Sequence, residues 1–160
     1  MSADLLNRQY ELLKGSRQVL FDYCEKLTNE EFTKEMPQFG HGSIRNLFTH
    51  IADVYIHWLQ NFALSKTTSY PDNNTIKDMK DVRHIFDQCD KYVDEFIKHY
   101  GDQLNKSITA PVPESTKTIT TTPLTLFTHA LTHEFHHKGQ IVSMSRQLGY
   151  TPVDTDMIRS

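Results

Sequence analysis

Cysteine is scarce: Cys24 and Cys89 are the only two in a chain of 160 residues. That is too few for the disulfide framework of a secreted scaffold, so a reducing compartment is the expected home. A basic surplus is missing as well. The formal net charge is −3, and Lys and Arg are scattered rather than clustered, which argues against gripping a phosphate backbone and so against a nucleic-acid partner. No apolar run approaches membrane-spanning length, and the opening MSADLLNRQYELLK is amphipathic and charged, unlike the apolar core of a signal peptide. No internal repeat is evident. These absences predict a soluble cytoplasmic protein with neither membrane nor nucleic acid as partner, built as a single domain over residues 1–160 with one substantial core. A homodimer is left open.

What is present is helical periodicity. Leu6, Tyr10, Leu13, Leu20, Cys24 and Leu27 fall mostly on one face of a first helix, with Arg17 as a polar interruption. Thr28-Asn29-Glu30-Glu31 looks like the cap of a short turn, Pro37 to Gly42 reads as a loop, and Ser43 can cap a second helix. From Ile44, the residues Leu47, Phe48, Ile51, Val54, Tyr55, Trp58, Leu59 and Phe62 predict that this helix is single and strongly amphipathic. The polar stretch Ser65 to Asn74 separates it from a third, whose stripe runs from Val82 through Ile85, Phe86, Cys89, Tyr92, Val93 and Phe96 to Tyr100, with Gly101 as its stop. Cys89 in that stripe is expected to be a small core residue. Lys106 to Thr122 is rich in Thr, Pro and Ser and should be a crossing loop with at most one short hairpin. A fourth helix starts at Pro123 and ends before Gly149. The tail after it has no helical period and should lie along the bundle. Four amphipathic helices without a convincing sheet predict an all-α four-helix bundle with a long crossover loop before the last helix.

Two places in the fourth helix's seam are taken by histidine. Leu126, Ala130, His133, His137, Ile141, Met144 and Leu148 succeed one another at spacings of three or four, so His133 and His137 face other helices. Burying an imidazole without a partner costs free energy, and two of them one turn apart disfavour each other's protonation. A divalent metal compensates directly, because neutral imidazoles at i and i+4 point their nitrogens at a common spot. The alternative is a pair of half-buried histidines hydrogen-bonded to neighbouring polar groups. On the second helix, His50 and His57 lie seven residues apart and point nearly the same way, so spacing does not choose between them as a third ligand. Asp53 shares their side and is read as a solvated carboxylate or as a hydrogen-bond partner to a ligating imidazole.

Gly42-Ser43-Ile44-Arg45-Asn46-Leu47-Phe48-Thr49-His50-Ile51 through Trp58, with His133-x-x-x-His137-Lys138-Gly139-Gln140, Arg146-Gln147-Leu148-Gly149 and the final Pro152-x-x-Thr155-Asp156-Met157-Ile158, resembles the DinB family. The resemblance implies a four-helix bundle in up-down-down-up order that binds a divalent metal through three histidines, here His50, His133 and His137. Zinc or nickel leads, with iron and copper also compatible with imidazole donors. Thr132 and Lys138 depart from residues common in one large branch of the family, Asn and Arg respectively. Since characterised relatives include metal-dependent enzymes that use low-molecular-weight thiols, the resemblance implies a thiol S-transferase acting on a thiol and an electrophilic small molecule. The alternative is a metal-binding, stress-associated protein without catalysis.

His133-Glu134-x-x-His137 also satisfies the zinc-hydrolase pattern in which Glu134 is the general base. That class needs a third ligand downstream, for which only Asp154 or Asp156 is on offer. In the bundle reading Glu134 is instead expected at the surface or hydrogen-bonded beside a ligand, and Gln140 is a further candidate for such a bond.

Overall fold

The computed structural model describes residues 2–159, so the two ends of the expected 1–160 domain lie outside the described residues. The chain is mostly helical. Its elements are α1 (Ser2–Cys24), a short α2 (Asn29–Thr33), α3 (Ile44–Tyr55) continued by a π-helical stretch (Ile56–Phe62), a 3₁₀ turn (Asn73–Thr75), α4 (Met79–Tyr100), the strands β1 (Ile108–Pro111) and β2 (Thr118–Thr121), and α5 (Pro123–Gln147). Helix α3 packs against α4 and α5, and α1 packs against the same two.

Helix starts follow the capping chemistry of the sequence. Thr28 and Glu31 form a reciprocal capping box on α2, the Ser43 hydroxyl accepts from the Asn46 N–H on α3, and Asp78 accepts from Lys80 and Asp81 on α4. Each such cap stabilises its helix by about 1 kcal/mol. Thr122 caps α5 with Pro123 in its first turn. At the far end Gly149 has φ +94, and the N–H of Tyr150 donates to the Ser145 carbonyl, so a residue free to turn left-handed closes the helix where expected.

The helices share one contiguous core. Phe21 of α1, Phe48 of α3 and Phe86 of α4 meet edge to face with centroids 5.2 to 6.3 Å apart, a geometry that adds about 0.5–1.5 kcal/mol per pair beyond burial. Cys24 and Cys89 are free, buried thiols, and burial pushes the Cys24 pKa up to about 12. They are core residues, not nucleophiles.

Helix α3 is not uniform in its continuation. Beyond Tyr55 its turns widen, and the Ala63 N–H donates to the Trp58 carbonyl five residues back. The widening rotates the later turns, so Gln60 points fully inward and donates to the Tyr92 carbonyl, while Trp58, expected in the buried stripe, is only half-buried. Between α4 and α5 there is one antiparallel hairpin, with Ile108 opposite Thr121 and Pro111 opposite Thr118. The tail lies along the helices: the Thr155 carbonyl accepts from Ser16 of α1 and from the Lys138 ammonium of α5.

Among the described residues no helix is long and apolar enough to cross a membrane.

Candidate metal centre

Helices α3 and α5 pack directly, and four imidazoles gather where they meet. His50 comes from α3, His133 and His137 from α5, and His41 from the loop before α3. The rings of His50 and His137 are 4.8 Å apart, those of His50 and His133 4.9 Å, and those of His133 and His137 4.3 Å. Ligand nitrogens of His41, His50 and His137 all lie within 4.8 Å of one another, a group that takes in His41 and leaves out His133. The Nε2 atoms of His133 and His137 face each other at 3.0 Å.

Tautomers follow from the partners. His137 Nδ1 is 2.7 Å from Gln140 Oε1, and an amide oxygen only accepts, so the His137 proton sits on Nδ1 and leaves a lone pair on Nε2. Gln140 thus orients a histidine in the way that hydrogen-bond partners orient metal ligands. His133 is served less well. Its polar contact is the His137 nitrogen, and its Nδ1 is buried with no hydrogen-bond partner. Simple hydrogen bonding of two half-buried histidines therefore satisfies one ring and not the other.

Burial holds the cluster neutral. Desolvation, followed by the like charges of His41 and His137, lowers the His50 pKa to about 4. Desolvation, followed by His137 and His50, lowers that of His133 to about 3. His137 and His41 are lowered too, chiefly by burial. Four uncharged nitrogen donors with little affinity for protons at neutral pH are what a borderline divalent ion requires, so the donor set fits such an ion.

Beside the cluster opens a cleft of about 290 Å³ lined by His50, Asp53, Val54, His57, Trp58, Tyr70 and Glu114. His57 belongs to this cleft. Its Nδ1 is 2.9 Å from the Tyr70 hydroxyl, and it is not grouped with the clustered nitrogens. Asp53 is no solvated carboxylate: its Oδ1 is buried without a partner, and burial, then the charge of Glu114, pushes its pKa up to about 6. Glu114 reaches the cleft from the hairpin tip, where it holds φ +59.

Glu134 turns the other way, which corrects its expected place at the surface or beside a ligand. Its carboxylate accepts from Arg17 Nε at 2.8 Å and Nη2 at 2.9 Å and from the Tyr55 hydroxyl at 2.7 Å, all buried. Burial opposes the charge of Arg17 most strongly, but Glu134, Tyr10 and Tyr55 together outweigh it and the guanidinium pKa is raised. Arg17 also donates to Asp90 at 2.7 Å. A carboxylate committed to a buried, two-pronged ion pair is not free to act as the general base of a zinc hydrolase.

His41, Tyr70 and Glu114 come to the site without any mark in the helical periodicity. For His41 a signal existed in Gly40-His41-Gly42 directly before the capping Ser43, which joins an aromatic donor to the start of a helix carrying another. Glu114 and Tyr70 sit in loops whose placement no periodicity encodes.

A helical protein whose packed helices bring several neutral imidazoles to one spot defines a class of metal-binding helical proteins. The particular family follows from comparison: the DinB family matches residues 1–160, and the chain belongs to it. It is similar to the protein named DinB of Bacillus subtilis (strain 168), 25% identical over 96% of this chain and 92% of that protein. It is also similar to YizA, an uncharacterized protein of the same organism, 26% identical over 86% of this chain and 84% of that one.

Proposed function

We propose that the protein binds one divalent ion, zinc or nickel foremost, through His50, His133 and His137, and uses it as a metal-dependent enzyme on small molecules. The observation that carries this reading is the meeting of His133 Nε2 and His137 Nε2 at 3.0 Å beside His50, with the His137 tautomer set by Gln140. We take the scaffold to be a single-domain four-helix bundle in up-down-down-up order, working in the cytoplasm.

A divalent ion held there supplies a Lewis acid that favours the ionised form of a water or thiol. The chain's own groups prepare the rest. Asp53, with a pKa pushed up to about 6 and an unpartnered oxygen, is suited to accept or return a proton in the cleft next to His50. Trp58, His57 and Tyr70 offer flat walls to a substrate.

Thiol S-transfer is the reaction we favour, with a condition on the thiol. The charged residues that line the cleft are Asp53 and Glu114, and its lining holds no Lys or Arg. A thiol carrying an amino group fits such a lining and a multiply anionic one does not. A non-catalytic metal-binding role is the second reading, and the open cleft beside the histidines counts against it.

Elemental analysis of protein purified without an affinity tag should find one metal per chain. His50→Ala, His133→Ala and His137→Ala should each lose it, while His57→Ala keeps it. Retention by His50→Ala together with loss in His57→Ala would reverse the ligand assignment. A thiol-consumption screen on the loaded protein, comparing cationic with anionic thiols, tests the reaction.

A further inference from the structure

His41 is the one histidine of the cluster that no helix supplies, and the three-ligand reading gives it no task. Its ring lies face to face on His50, centroids 3.9 Å apart and planes 22° apart, and edge-on to His137 at 5.3 Å. Neither contact hydrogen-bonds its nitrogens. Its ligand nitrogen belongs to the same close group as those of His50 and His137, so it stands in the cluster as a further donor. Two metal–nitrogen bonds of about 2.0–2.1 Å span up to about 4.2 Å. The ligand nitrogens of His41, His50 and His137 lie within 4.8 Å, so small ring rotations bring all three onto one ion.

The backbone shows that this placement is built. The His41 carbonyl accepts from the Ser43 N–H at 3.0 Å and from Asn46 Nδ2 at 2.9 Å, which ties the loop to the first turn of the helix that carries His50. Gly42 turns through φ +77, and its N–H donates to the Phe39 carbonyl at 3.0 Å. A side chain at Gly42 would meet the Glu35 carboxylate and would be strained at that φ. The loop is thus closed on both sides of His41, and its side chain is left aimed at the cluster.

We propose that His41 is a fourth protein ligand of the ion, so that the resting centre holds four imidazoles. The proposal rests on the metal-binding reading above and deepens it. Three helix-borne histidines alone leave a coordination position to water, whereas a loop-borne fourth fills it and can leave by side-chain rotation without moving a helix. His41 would then hold the position that a thiol would otherwise occupy.

Cobalt(II) is the probe, because a four-nitrogen tetrahedral cobalt site absorbs strongly in the visible and a water-bearing site of higher coordination does so weakly. Wild type should bind one cobalt with strong visible bands. His41→Ala should fold with an unchanged metal-free melting temperature, bind cobalt about tenfold or more weakly, and show weakened bands. Added 2-mercaptoethanol should give a thiolate-to-cobalt charge-transfer band at lower thiol concentration in the variant than in wild type. His41→Gln should behave like His41→Ala. If His41→Ala matches wild type in affinity and spectrum while His50→Ala and His137→Ala lose the ion, the fourth-ligand proposal falls and the metal-binding reading stands. If His41→Gln restores the wild-type spectrum, loop packing is the cause and the proposal falls. If wild type itself binds no cobalt, both fall.

Discussion

At the scale of single residues, the side chains the periodicity misjudged are the charged ones. Arg17 reads as an interruption in an apolar stripe and Glu134 as a surface group or general base, yet both are buried and each is the other's partner. The guanidinium lies 4.7 Å from the Phe86 ring centroid and within 6 Å of the Tyr10 and Tyr55 rings, so aromatic faces complete its shell where carboxylates do not. Tyr10 donates to Asp90 at 2.7 Å, and the network joins α1, α3, α4 and α5. Removing Glu134 leaves the buried Arg17 guanidinium with the partly exposed Asp90 as its remaining carboxylate. Glu134→Ala is therefore expected to lower unfolding stability by about 3–5 kcal/mol while metal stoichiometry stays at the wild-type value. Urea denaturation and elemental analysis of the same sample check both halves. Loss of peptide hydrolysis in Glu134→Gln, with full stability, would instead restore the zinc-hydrolase reading. The polar core was illegible because a pattern of apolar spacings reports which positions face inward and not which charged residues find partners there.

At the scale of elements, the tail after Gly149 has the clearest assignable role. Lys138 is 6% exposed. Its ammonium donates to Ser16 Oγ at 2.6 Å and to the Thr155 carbonyl at 2.5 Å, and lies over the Phe135 ring at 3.8 Å. Desolvation lowers its pKa, so the charge depends on these acceptors. Truncation after Pro152 removes the Thr155 carbonyl from Lys138 and Ser16 together and is expected to cost about 1–3 kcal/mol, read as a shift in denaturation midpoint. An unchanged midpoint would mean the tail is only laid on the surface. Helix positions were largely legible, because capping residues such as Ser43 and Thr122 and the stop at Gly149 act locally and are visible in the sequence. The widened turns at Ile56–Phe62 were not. A π-helical register is chosen by what the helix packs against, and it placed Gln60 inward and Trp58 beside the cleft against the α-helical expectation. His133 and His137 were legible from their spacing. His41, Tyr70 and Glu114 were not, since loops bring them in and loops carry no period.

At the scale of the whole molecule, metal and protons act on the same fold through the same nitrogens. The proposed ligands come from α3 and α5, and an ion bridging them binds the folded chain far better than the unfolded one, adding about 2.7 kcal/mol at a hundredfold excess over its dissociation constant. Chelation should lower the melting temperature. The contiguous apolar core that spans the helices does not depend on the ion, so helical circular dichroism should survive chelation. Acid adds a second effect even without metal. The folded-state pKa values of His50, about 4, and His133, about 3, lie below the 6.5 of an ordinary imidazole, and those of His137 and His41 are lowered as well. Between those values and 6.5 the unfolded chain binds more protons, so stability is fullest above pH 6.5 and is lost as pH falls toward 4. Asp53, raised to about 6, works the opposite way between pH 6 and 4, but one carboxyl opposes four imidazoles and the histidines set the sign. Melting curves at pH 7.5 and 5.5, each with and without chelator, separate the two effects. The metal-free protein should melt lower at pH 5.5, and the gap opened by chelator should narrow there, because protons then compete for the imidazoles. A melting curve unmoved by chelator, in protein verified to have carried metal, would mean that no ion bridges α3 and α5.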